Sequence, residues 1–88
     1  MTIYEKAAAR ILVPGQWTQG TNARDPSGRG VSAREPGAVC WCAWGAIIKE
    51  GGEGMSSNFI MSFNDAHGRT AEEAALAILL IGVSKDDL

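Results

Sequence analysis

The chain has little of what metal, redox and nucleic-acid proteins are built from. It holds one histidine and two cysteines, and none of its eight Lys and Arg residues adjoins another. The possible zinc ligands, Cys40 or Cys42 with His67 and Asp65, lack the wider spacing that a structural zinc site needs. Two cysteines one residue apart do not make a disulfide framework. The formal net charge is −2 and the pI about 5.2, which excludes a molecule that holds a polyanion by its overall charge. The longest apolar run, residues 74–81, is too short to span a bilayer. The opening MTIYEKAAARILV carries both charge signs and no cleavage-site pattern, against a secretory signal. The expectation is a reduced, cytoplasmic protein without metal, cofactor or membrane.

The composition, 45% hydrophobic and 20% charged, is that of a globular protein. Its 88 residues suit a single domain, 1–88, whose stability margin is thin without a partner or staple. Residues 2–13 have helical spacing: Ile3, Tyr4, Ala7, Ala8, Ile11 and Leu12 share one half of the wheel, and Pro14-Gly15 ends the run. Residues 18–37 form a polar arm with four glycines and two prolines. Within it "DPSG" (Asp25 to Gly28) fits a type I turn that a short β-hairpin could flank. A second helix is expected from Pro36 to Gly51-Gly52, and a short third from Ser56 or Ser57 to Phe63. The last begins in a capping box, Thr70 with Glu73, and should stop at Gly82. The fold expected is mainly α: three to four helices, with an irregular or hairpin-like arm between the first two.

The most chemical-looking stretch is "AVCWCAWGAII", residues 38–48. On one helix from 36 to 50, Cys40 and Cys42 would stand about 200° apart and could not converge on one ion. On that wheel Cys40, Trp41, Trp44, Ile47 and Ile48 make a bulky face, and the smaller residues make the opposite one. A helix apolar all round is a buried one, so the stretch reads as core, with cysteine as a compact hydrophobe. The competing reading is a cysteine-dependent hydrolase or transferase, with Cys42 or Cys40 as nucleophile, His67 as base and Asp65 or Asn64 orienting it. A helix N-terminus or a basic neighbour would be needed to lower the thiol pKa, and Cys42 would lie about two turns into the helix.

Other candidates concern binding. Arg24, Arg29 and Arg34 could grip phosphate or an acidic partner surface, although Asp25 and Glu35 largely cancel them. "Gly28-Arg29-Gly30" lacks the helix and lysine of a phosphate loop. Asn64 and Asp65 suit local backbone hydrogen bonds at a turn. Trp17 is expected in the core. The last helix carries charge only in its first turn, Glu72 and Glu73, and Leu76 to Ile81 then cover nearly its whole circumference. One small core cannot easily enclose two all-apolar helices, so a second copy or another protein is expected over part of this surface.

Taken together, "WTQG" (17–20), "ARD" (23–25), "CWCAWGA" (40–46) and "FND…RTAEE" (63–73) resemble a family of small bacterial and phage-borne proteins known only as a domain of unknown function. In that family Trp usually stands at position 63 and Leu at position 44, and position 67 varies, which weakens a triad built on His67. The resemblance brings no activity, cofactor or catalytic residue. It implies a setting of small accessory proteins carried on mobile elements. The function expected is a non-enzymatic, protein-binding accessory factor of the kind carried by phages and plasmids, with an inhibitor of a host defence system such as an anti-CRISPR as the example the setting suggests. Its contact residues would be Arg24, Asp25, Arg29 and Arg34 on the arm, or Leu76 and Leu80 on the last helix, with homodimerisation open. A nucleic-acid-binding module using the arm's arginines ranks third.

Overall fold

The computed structural model describes residues 1–52 and 58–86. The elements run α1 (Ile3–Leu12), β1 (Ala23–Arg24), β2 (Gly30–Val31), β3 (Cys40–Trp41), α2 (Ala43–Lys49), α3 (Asn58–Asp65) and α4 (Ala71–Asp86). The expectation of a small domain of three to four helices holds in part: the described residues form four helices, but the fold is mixed rather than mainly helical. The arm supplies β1 and β2, which with β3 after it form an antiparallel sheet of order β2-β1-β3.

Helix α1 starts where Thr2 and Glu5 form a reciprocal capping box and stops ahead of Pro14. Its apolar face is thinner than the wheel suggested: Ala7, Ala8 and Ile11 are buried, Tyr4 is half-buried, and Ile3 and Leu12 are exposed. The buried face packs chiefly on α4 and then on α2. Arg10, on the flank of α1, donates through Nε to Glu50 at the C-cap of α2 (2.9 Å) and stacks its guanidinium 4.7 Å from the Trp41 ring centroid.

Strand β1 pairs on both edges, Ala23 with Val31 and Trp41, Arg24 with Gly30 and Cys40. The turn between β1 and β2 is the one read from "DPSG": Gly28 N donates to Asp25 O at 2.9 Å. Outside the named strands, Trp17 bridges parallel to Trp41, with Trp41 N to Gln16 O at 2.9 Å and Thr18 N to Trp41 O at 3.0 Å.

Helix α2 is the first correction. It begins at Ala43, not Pro36, because the backbone ahead of it is used elsewhere. Pro36-Gly37 lies in a turn closed by Ala38 N to Glu35 O (2.9 Å). Val39 N donates to Arg24 O (2.9 Å) and Cys42 N to Asn22 O (3.1 Å). Val39, Cys40 and Trp41 are residues that a strand accepts readily. The two cysteines therefore do not share a helix: Cys40 lies in β3 and Cys42 is the N-cap of α2. The core reading of the stretch survives, since Trp41, Cys42, Ala43, Ala46 and Ile47 are buried. The first turn of α2 is pressed against the arm so closely that a Cβ on Gly45 would stand 1.9 Å from Asn22 O.

Helix α3 has its described start at Asn58; the expected start at Ser56 or Ser57 lies outside the described residues. Helix α4 opens on the expected capping box, with Glu73 N to Thr70 Oγ1 at 3.2 Å and Thr70 N to Glu73 Oε1 at 3.0 Å. It then runs through Gly82 to Asp86, the second correction. Gly82 is no stop: it lies where α4 packs closely on α1, and a Cβ there would meet Tyr4 Cβ at 2.7 Å. Ala74, Ala77 and Ile78 face the core beside Ile11, Ile47 and Ile60. No helix among the described residues is long and apolar enough to cross a membrane.

Candidate functional site

The polar residues of "WTQG" and "FND" meet at one junction, centred on Asn64 near the end of α3. Asn64 is fully buried. Its Oδ1 accepts from Trp17 Nε1 (2.7 Å) and from Ala43 N at the start of α2 (2.9 Å). Its Nδ2 donates to Thr18 O (3.1 Å) and to Asp65 Oδ1 (3.0 Å). Both donors and both acceptor positions of the amide are used, and the partners fix its orientation, because Trp17 Nε1 and Ala43 N only donate while Thr18 O only accepts. Around it, Gln19 Nε2 donates to Asn64 O (2.8 Å) and Ala66 O (3.1 Å), and Gly20 N donates to Asp65 Oδ1 (3.0 Å). The arm, α2 and α3 are thus held at one point by hydrogen bonds between residues more than 40 positions apart, except for the 21 separating Ala43 from Asn64.

These contacts revise the reading of "FND" as a local turn former. Asn64 and Asp65 bond mainly to the distant arm, and the sequence signal for this was the pairing of two polar motifs, "WTQG" and "FND", whose mutual contact no spacing rule reveals. Every buried side-chain nitrogen and oxygen among the described residues has a partner. The junction therefore has no unpaired buried polar side-chain group among the described residues, and its hydrogen bonds hold the arm, α2 and α3 together.

Of the arm residues, Arg24 and Asp25 are committed internally. Arg24 donates to Thr18 Oγ1 (2.9 Å), Gly28 O (2.9 Å) and Gln19 O (3.0 Å), tying the "WTQG" turn to the "DPSG" turn. Asp25 Oδ1 accepts from Ser27 Oγ (2.6 Å), Ser27 N (3.0 Å) and Arg29 N (3.1 Å), and the Ser27 hydroxyl is the main cause of its lowered pKa. Arg29 faces outward with its side chain 77% exposed, 3.3 Å from Asp25 Oδ2. Arg34 is exposed too and rests its Nε on Ile48 O (3.3 Å). The outward cations of the arm are thus Arg29, in the β1–β2 connection that Arg24 and Asp25 brace, and Arg34, in the turn that follows β2.

The cysteines can be judged by the same geometry. Cys42 Sγ accepts from Gly45 N at 3.2 Å, as an N-cap does, and lies 3.8 Å from Asn22 Oδ1. It occupies a helix N-terminus, the place the earlier helix boundary denied it. Burial nevertheless pushes its pKa up, outweighing the lowering by the Gly45 and Trp44 backbone donors, and the nearby Asp65 adds to the rise. The thiol at position 42 is held protonated and away from solvent, the reverse of what a nucleophile needs. His67 is exposed in the turn after α3 and takes no part in the junction, while Asp65 is spent on Gly20 and Asn64. No group of three or more His, Cys, Asp or Glu able to hold a metal ion occurs among the described residues.

Leu76 and Leu80 stand on the outer face of α4, 57% and 60% exposed, with Leu79 (37%) and Val83 (57%). The four are spaced i, i+3, i+4 and i+7, so they form one stripe, on the side away from Ala74 and Ile78. Beside its C-terminal half, Thr2, Tyr4, Glu5, Leu79, Gly82 and Val83 line an open recess of about 190 Å³.

No curated protein and no solved structure matches the chain. The match that exists takes in α1, the sheet and α2 and ends ahead of the body of α3 and all of α4, so the Asn64 end of the junction and the α4 stripe lie outside it. Residues 2–58 match DUF6197, and the chain belongs to that family of unknown function.

Proposed function

We propose that this protein works by binding another protein chain rather than by catalysing a reaction, and that the outer face of α4 is its principal docking surface. The observation that supports this is the stripe of Leu76, Leu79, Leu80 and Val83. Helix α4 already buries one face in the core, and a second apolar face left in water has no role in folding the monomer. The four side chains, spaced at i, i+3, i+4 and i+7, form one exposed apolar stripe, and the largest exposed apolar patch on a protein is often a functional one. The buried, protonated Cys42 and the self-contained Asn64 junction add no competing chemistry. Arg29 in the braced β1–β2 connection and Arg34 in the turn after β2 supply a second, polar contact surface. The mobile-element setting implied by the family resemblance suits an accessory factor of this kind, such as an inhibitor of a host defence system, because inhibition by occlusion needs binding alone.

The test is capture from a bacterial lysate with tagged wild-type protein, the double variant Leu76→Glu/Leu80→Glu, and Arg29→Ala/Arg34→Ala. All the substituted side chains are exposed, so each variant should keep its helical circular-dichroism signal. A stoichiometric protein retained by wild type and lost from the α4 variant is the expected result. Equal capture by the α4 variant and loss from the arm variant would move the docking surface to the arm. Recovery of nucleic acid, lost in high salt, would favour the polyanion reading instead.

A further inference from the structure

We infer that the outer edge of β2 is a docking strip for an extended, acidic segment of a partner protein, which adds to the sheet as a further strand. The inference rests on the arm being the second contact surface and gives that surface its occupant. In the order β2-β1-β3 the middle strand is paired on both sides, and β3 is covered on its far side by the bridge between Trp17 and Trp41. Among the described residues β2 alone keeps a free edge.

The alternation of the ladder says which groups lie along that edge. Asp25 N donates to Arg29 O (3.0 Å), so residues 25 and 29 make a bonded pair, and the next pair, Arg24 and Gly30, is a non-bonded one. Arg24 O accordingly turns to the β3 side, where it accepts from Val39 N (2.9 Å). Gly30 N–H and C=O therefore point away from β1, on an exposed residue with no side chain to shield them. One donor and one acceptor on the same residue are what a bonded pair of an antiparallel ladder uses, and such an edge is a template for another strand. The strip is also preformed. Arg24 ties the turn at Gly28 to Thr18 and Gln19, so docking orders little of this chain.

Charge selects the strand that fits. Arg29 stands just before β2 with its side chain 77% exposed, and Arg34 follows β2, also exposed. Of the acidic groups beside them, Asp25 is only 15% exposed and is spent on Ser27 and Arg29, which leaves the exposed Glu35 against two outward guanidiniums. A second copy of this edge would bring like charges together, and a basic segment would be repelled. An acidic segment finds a guanidinium beyond either end of β2. A nucleic-acid strand would meet the same arginines, but it lacks the alternating amide donors and carbonyl acceptors that match Gly30.

The probe is a short, capped, fluorescent peptide of alternating glutamate and threonine, titrated to about 1 mM into the whole chain. Its anisotropy should rise to a plateau, and the Gly30 amide resonance should move. Methylating the peptide's backbone nitrogens should abolish both effects. Arg29→Ala/Arg34→Ala should bind about fivefold or more weakly with unchanged circular dichroism, and Leu76→Glu/Leu80→Glu should bind as wild type does. An unmoved Gly30 amide at the highest concentration overturns the inference, and so does equal binding of a peptide with lysine in place of glutamate. Salt-sensitive binding of oligothymidylate where the peptide fails would assign the arginines to a polyanion instead. Failure of the peptide, with capture from lysate still dependent on Leu76 and Leu80, would discard the strip and keep the α4 face. Binding of the peptide, with capture indifferent to the α4 variant, would keep the strip and discard that face.

Discussion

Replacing Asn64 should do more damage than any other polar substitution in the chain, and the size of the effect follows from its four hydrogen bonds. Asn64→Ala leaves Ala43 N–H, Trp17 Nε1–H and Thr18 C=O without their partner. Ala43 N–H is fully buried there, and a buried donor left unpaired costs about 1–3 kcal/mol. The other two are partly buried and cost less, and the void left by the side chain adds to the total. The sum is about 3–5 kcal/mol, a large share of the roughly 4–13 kcal/mol that a domain of this length has in all. Asn64→Asp separates hydrogen bonding from shape. It keeps the volume and the acceptor for Trp17 and Ala43, but turns a second oxygen towards Thr18 O and Asp65 Oδ1, two acceptors. The introduced carboxyl should therefore have a folded pKa above its unfolded one. Its penalty is greatest at pH 7 and shrinks as the pH falls through that raised value and the group regains a donor. Urea unfolding of wild type and both variants at pH 7 and pH 5 measures this. Asn64→Ala within about 1 kcal/mol of wild type, or Asn64→Asp as stable as wild type at pH 7, would refute the keystone role.

Gly45→Ala should destabilise by about 3 kcal/mol or more, because the added Cβ meets the Asn22 carbonyl and backbone cannot yield as a side-chain tip can; a thermal melt reads it. The two thiols should separate in native labelling with a thiol reagent: half-buried Cys40 reacts first, and Cys42 at least about 100-fold more slowly, at a rate set by opening of the fold. Stability should also fall at both ends of the pH range. Glu5 is held below its ordinary value by Thr2 N–H, Asp25 by the Ser27 hydroxyl and Glu73 by Thr70 N–H. Their folded values lie below the unfolded ones, so their contribution is complete above about pH 4.5 and is lost as the pH falls through the folded values. Cys42 runs the other way: its folded value is raised by burial, so its contribution is complete below 9.0 and is lost as the pH rises through the folded value. Melting temperature recorded from pH 3 to 11 checks both limbs, and a flat profile above pH 9 would contradict the burial of Cys42.

The sequence by itself determined those features whose causes lie within a turn or two of chain. The spacing of Ala7, Ala8 and Ile11 and the Pro14 stop set α1; Asp25, Pro26 and Gly28 set the hairpin turn; Thr70 and Glu73 set the start of α4. The uncharged run around Cys40 and Cys42 read correctly as core, and the excess of leucine on α4 as more apolar surface than one small domain can bury. Tertiary structure decided the rest, and in each case a long-range contact overrode a local preference. Pro36 was a good first-turn residue, but Val39, Trp41 and Cys42 gave their amides to Arg24, Gln16 and Asn22, so the helix waited until Ala43. Gly82 was a good stop, but Tyr4 needed a residue without a side chain at the α1–α4 crossing, so the helix went on. Arg24 looked like a surface cation and became the brace of the arm. Asn64 looked like a turn former and became the point where Trp17, Thr18 and Ala43 converge. Local spacing carries turns, caps and helical faces because those interactions span about four residues; a hydrogen bond across 47 positions exists only once packing has brought its ends together.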